Sequence, residues 1–76
     1  MKNELEQIVK ALVDNPEAAH VRAIVGDKTT VYEVTVVKED RGKVIGKGGA
    51  IIKALRTIVH SNAAKTGRRA ALEIVE

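Results

Sequence analysis

The sequence predicts a single α+β domain, ordered α-β-β-α-α-β, in which a three-stranded sheet carries its helices on one face. Three observations predict it. Apolar residues recur at helical spacing before Asp14 and again after Ala50, they alternate with a period of two between Val21 and Val37, and the chain has 76 residues. That length supplies one hydrophobic core and is too short for two.

In the first helix, Leu5, Ile8, Val9, Leu12 and Val13 form an apolar stripe behind Asn3, read as its N-cap, and Asp14-Asn15-Pro16 stops the pattern. Val21, Ala23 and Val25 then alternate with Arg22, Ile24 and Gly26. Tyr32, Val34 and Val36 alternate in the same way with Val31, Glu33, Thr35 and Val37, which gives two strands joined by a turn around Gly26-Asp27-Lys28-Thr29. Each strand has one cleaner apolar face, so the helices belong on one side of the sheet and a doubly wound fold is disfavoured.

Glu39 and Asp40 open a short helical segment through Ile45, with acids where the positive helix end favours them, and Gly46 stops it. Ile51, Ile52, Leu55, Ile58 and Val59 form the stripe of the longest helix, Ala50 to Ala64. After the basic turn Lys65-Thr66-Gly67-Arg68-Arg69, Ala70 to Val75 reads as the last strand, with Leu72 and Ile74 on one face.

Composition narrows the function classes. Tyr32 is the only aromatic residue, so the core is aliphatic and of modest stability, and dimerisation is one way to supplement it. The absence of cysteine excludes disulfides and thiolate catalysis and fits a reducing cytosol. No apolar run reaches the roughly 20 residues that span a bilayer, and Glu4 and Glu6 make the N-terminal pattern unlike a signal peptide. These features predict a soluble cytoplasmic protein without a membrane partner.

Net charge is +3, but its distribution says more. Residues 1 to 40 hold eight acids and five bases, whereas residues 41 to 72 hold no acid and eight bases. Those bases are Arg41, Lys43, Lys47, Lys53, Arg56, Lys65, Arg68 and Arg69. Such segregation is the footprint of a polyanion-binding face, or of a solvated basic surface.

Between the two apolar helices of this basic segment stands Gly46-Lys47-Gly48-Gly49. Glycine lets the chain turn at positive φ and lets a ligand approach without meeting a Cβ. The loop feeds the N-terminus of the long helix, and no Ser, Thr, Asp or Asn stands at Gly48, Gly49 or Ala50 to cap it. Its first amides are thus open to a phosphate, with Lys47 beside them. The alternative is a plain tight turn with Gly46 as an ordinary C-cap.

The stretch Val44-Ile45-Gly46-Lys47-Gly48-Gly49-Ala50-Ile51-Ile52, followed by Leu55, resembles the KH motif, whose G-x-x-G loop clamps about four nucleotides of single-stranded RNA. The element order resembles the type II arrangement, and the whole chain is similar to the small bacterial KH proteins of the KhpA family. This resemblance implies an RNA-binding protein, an RNA chaperone or post-transcriptional regulator, that forms homodimers and pairs with the larger KH protein KhpB. In some bacteria that pair is linked to cell shape, division and cell wall biogenesis. By position, Gly46, Lys47, Gly48 and Gly49 would hold the sugar-phosphate backbone, and Val44, Ile45 and Ile52 would line the base groove. Arg41, Lys43, Lys53 and Arg56 are further candidates for phosphate contacts. Gly48 departs from the family, which often has Gln there, and Lys38 stands before Glu39 where many members have proline.

Other chemistries lack their residues. A P-loop needs one more residue between its glycines than Gly42 to Lys47 provide, and Gly48 replaces its magnesium-binding hydroxyl. A dinucleotide fingerprint starting at Gly46 would need glycine at Ile51. His60 and Ser61 are adjacent on a helix and diverge, while His20 and His60 form no cluster, so neither a catalytic pair nor a metal site is expected. Tyr32 falls on the core face of its strand and reads as packing. The sequence therefore predicts a non-enzymatic module without cofactor or small-molecule substrate. The alternative within this fold is an interaction module whose partner supplies most of the RNA contacts.

Overall fold

The computed structural model describes residues 1–75. Helix α1 (Lys2–Leu12) leads through a 3-10 turn at Pro16–Ala18 into β1 (His20–Val25) and β2 (Thr29–Thr35). A second 3-10 turn, Lys38–Asp40, runs into α2 (Arg41–Ile45), and the glycine loop joins it to α3 (Ala50–Ala64) and then β3 (Arg69–Val75). This is the predicted α+β order.

The sheet has the order β1-β2-β3. β1 and β2 form an antiparallel hairpin in which Val21 faces Val34, and β2 pairs with β3 in parallel, Thr29 beside Arg69. A parallel pair cannot be closed by a tight turn, and α2 and α3 supply the crossover. α3 lies against β3 and α1 against β1. Val21, Val34, Ala70 and Leu72 from the sheet join Leu5 and Val9 of α1, Val44 of α2, and Ile52, Leu55 and Val59 of α3 in one core, with Tyr32 packed at its margin. The other face of the sheet carries the cross-strand row Arg22, Glu33, Glu73 and beside it the row Ile24, Val31, Ala71. The helices thus occupy a single face, as alternation in the strands requires.

Two boundaries and one burial differ from the sequence reading. Asn3 lies inside α1 and caps nothing, because the helix starts two residues earlier, with Met1 as its N-cap: the Met1 carbonyl accepts the Leu5 N–H at 2.9 Å while the terminal ammonium pairs with Glu4 at 3.1 Å. β2 ends at Thr35 although the apolar alternation runs on to Val37, since the Val37 carbonyl is taken by the Asp40 N–H of the next turn. Val25 shares a strand face with Val21 but is 71% exposed, being at the far end of β1, where the helices no longer cover the sheet.

The turn ahead of β3 is fastened to the β1–β2 hairpin. Arg68 donates to the Asp27 carbonyl at 2.9 Å, to the Gly26 carbonyl at 3.0 Å and to Thr30 Oγ1 at 3.2 Å, and the Arg69 N–H donates to the Lys28 carbonyl at 2.9 Å.

α1 is tied to β1 by Glu6, whose Oε2 accepts the Val21 N–H at 3.3 Å on the strand's free edge, between Lys2 and Lys10. That hydrogen bond, helped by the two lysines, lowers the Glu6 pKa from its ordinary value. A carboxylate with a depressed folded-state pKa contributes stability that is present above the unfolded value of about 4.3 and lost as pH falls through the folded value. Glu6→Gln should therefore flatten the acid side of the curve of urea midpoint against pH while changing its neutral side less.

Candidate functional site

The glycine loop sits between α2 and α3, in contact with both. Gly46 ends α2, its N–H donating to the Gly42 carbonyl at 2.9 Å, and takes φ 76°, ψ 168°. This backbone region is essentially restricted to glycine. A Cβ there would stand 2.6 Å from Ile51 Cγ1 and 2.9 Å from the Ile51 amide nitrogen, so the start of α3 is packed directly onto it. The next three residues make a 3-10 turn in which Gly48 (φ 64°, ψ 16°) and Gly49 (φ 79°, ψ 15°) are both left-handed. A Cβ on Gly48 would meet nothing within 4 Å, which places Gly48 at the open tip.

Gly49 is the N-cap of α3, with no side-chain capping bond and no acid in the first helical turn. The positive end of a 15-residue helix is thus turned toward the loop without a carboxylate of its own. Lys47 is exposed on the loop, and the Lys53 stem lies across Gly49, its Cε 3.9 Å from where a Cβ would be. Ile45 is 37% exposed next to the loop and Ile52 is 9% exposed one turn into α3. Val44, expected to line a base groove, is completely buried and belongs to the same core as Leu55 and Ile52.

The remaining candidates are arranged unequally. Arg56 lies over β3, its Nε 3.5 Å from the Leu72 carbonyl, beside the same surface as Ile52. Arg41 is half-buried at the start of α2. Lys43 donates to Asp14 Oδ2 at 2.7 Å, and this partner raises the Lys43 pKa while offsetting its charge. Lys65, Arg68 and Arg69 stand at the other end of α3, about 22 Å from the loop for 15 residues at 1.5 Å each. The basic segment read as one face is therefore two groups separated by the length of a helix.

Sequence reasoning missed Asp40. Its side chain is 2% exposed and accepts two backbone N–H groups from the turn after α1, Asp14 at 3.3 Å and Asn15 at 3.0 Å. Together with the Lys43–Asp14 pair it locks the entrance of α2, and so the loop, onto the opposite part of the chain. In the sequence Asp40 has the signature of an ordinary helix-start acid, and nothing local reveals partners 25 and 26 residues away.

A short helix and a long one joined through a G-x-x-G turn, following a β-β hairpin and closed by a parallel third strand, define a KH domain. The family model for the KhpA/KhpB KH domain matches residues 2–74. The chain is 49% identical over 76 residues to the RNA-binding protein KhpA of Chlamydia trachomatis, covering 100% of this chain and 97% of that one. It is 45% identical over 75 residues to the RNA-binding protein KhpA of Clostridium perfringens, covering 99% and 100%. No solved structure matches it. The chain belongs to the KhpA/KhpB KH family.

Proposed function

We infer that this protein binds single-stranded RNA across the Gly46-Lys47-Gly48-Gly49 loop and acts, without catalysis, as a post-transcriptional regulator or RNA chaperone together with a larger KhpB-like KH protein. The observation that carries the reading is the open glycine tip at the uncapped head of α3, in a segment free of acids. Phosphates would settle against the loop and the first α3 amides, with Lys47 and Lys53 as counter-charges. Bases would lie on Ile45 and Ile52 beside Arg56, an aliphatic surface of the kind KH domains use in place of aromatic stacking. Its relatives' shared name, RNA-binding protein KhpA, supports the same reading. The setting is cytoplasmic, with RNA as the partner, no cofactor and no small-molecule substrate.

The test is binding of short unstructured RNA by fluorescence anisotropy. Replacing Lys47 and Gly48 by Asp together should abolish binding, since two carboxylates would face the phosphates. Thermal unfolding should move little: both sites are exposed, and Asp is among the residues that best tolerate the left-handed backbone of Gly48. With three or four phosphates engaged, log K against log salt should have a slope of roughly −2 to −3, at about 0.7 per phosphate. Unchanged RNA binding by the double variant, or a slope near zero, overturns the assignment.

A second reading has its own observation. Ile8 on α1 and Ile58 on α3 are 39% and 43% exposed, which suits a module that homodimerises or pairs with KhpB and leaves much of the RNA contact to that partner. On that reading, Ile58→Glu would abolish both dimer sedimentation and RNA crosslinking while the loop variant retained its crosslinks.

A further inference from the structure

Beyond the loop, a second group of positive charges is built where two turns are stitched together. Lys65 and Arg69 flank the α3–β3 turn, Lys28 stands on the β1–β2 hairpin, and Arg68 joins the two through three hydrogen bonds. Those bonds go to carbonyls and a hydroxyl, so the charge of Arg68 is held in place without being cancelled. Among the described residues no carboxylate lies within salt-bridge distance of Lys28, Lys65, Arg68 or Arg69. Asp27 is the hairpin's own acid, and Glu73 shares with Arg69 the face of β3 opposite Leu72 but stands four residues along the strand, about 13 Å at 3.3 Å per residue.

The ground between this group and the loop is also free of acids. Lys53, Arg56 and His60 follow at three- and four-residue intervals, so they share one side of α3, and all three are exposed. A polyanion gripped at the head of α3 would meet this stripe and then the basic turn at its tail. A flat protein partner would not need charges spaced along a helix, whereas a single nucleic-acid strand presents phosphates at regular intervals.

We propose that the tail of α3, through Lys65 and Arg69 with Lys28 beside them, is a second phosphate-contact site for the same RNA strand that the glycine loop holds. The domain then reads strand length as well as strand presence. This inference rests on the loop being an RNA site.

The experiment compares two oligouridylates, one of four nucleotides, the length a KH loop clamps, and one of about 16, the upper end of small-module footprints. A longer strand offers more binding registers, which raises affinity but leaves the salt slope alone. The slope is therefore the readout. For wild type it should be steeper by about 1.4 to 2.1 with the longer strand, from two or three added phosphates at about 0.7 each. Lys65→Glu combined with Arg69→Glu should return the long strand to the slope of the short one and leave short-strand affinity within about twofold; thermal unfolding checks that the exposed substitutions spare the fold. Equal slopes for the two lengths in wild type, or a variant that weakens both strands alike or neither, overturn the proposal. Failure of the loop assignment looks different: wild type would not bind the four-nucleotide strand at all.

Discussion

Gly46→Ala should destabilise the domain by about 2–6 kcal/mol and take RNA binding with it. The backbone of Gly46 lies in a region other residues enter at a cost of about 1–3 kcal/mol. The methyl would in addition stand 2.6 Å from Ile51 Cγ1 and 2.9 Å from the Ile51 nitrogen, and one of those neighbours is backbone that cannot swing aside. Overpacking of this kind adds about 1–3 kcal/mol. In a domain of this size each kcal/mol lowers Tm by about 4–8 °C, so the loss is large on a thermal scan. Gly48→Ala is the internal control: it has the same sign of φ but open space around it, and should cost only about 1 kcal/mol. Equal losses for the two variants would mean that contact with Ile51 contributes nothing.

Asp40→Ala should be comparably severe, about 2–4 kcal/mol, for a different reason. The carboxylate is buried and satisfies the Asp14 and Asn15 amides; its removal strands both donors and leaves a small void where α2 meets the α1 exit. Asp40→Asn keeps one acceptor oxygen in place and should recover about half the loss. Urea unfolding of the three proteins measures it. Hydrogen exchange at Asn15 gives a local reading, since its amide should lose protection in the alanine variant before the central sheet does.

Periodic burial made much of this molecule legible from its sequence. The α3 boundaries follow from the stripe of Ile52, Leu55 and Val59, which are buried as a 3.6-residue repeat demands. The glycine loop was legible too, because Gly46 and Gly48 have backbone angles that ordinary side chains resist. What sequence could not show was tertiary pairing of polar groups. Asp40, Lys43 and Arg68 all look like surface charges, yet each finds its partners 25 to 42 residues away. Val44 was misplaced for a related reason: a five-residue helix is too short for its period to say which apolar side chain faces in. Asn3 failed as a cap because the first helical hydrogen bond, from the Leu5 N–H to the Met1 carbonyl, already forms ahead of it.

The parallel pairing of β2 with β3 also sets when the loop can exist during folding. Thr29 and Arg69 are 40 positions apart, 69 less 29, and everything between them, the loop included, hangs from that pairing. Local helices and the β1–β2 hairpin can assemble early, but closing so distant a contact is entropically slow. A nascent chain that has emerged only as far as α3 would therefore carry the glycine turn without the platform that holds it, and competence to grip a ligand would arrive in one step with the strand Arg69–Val75.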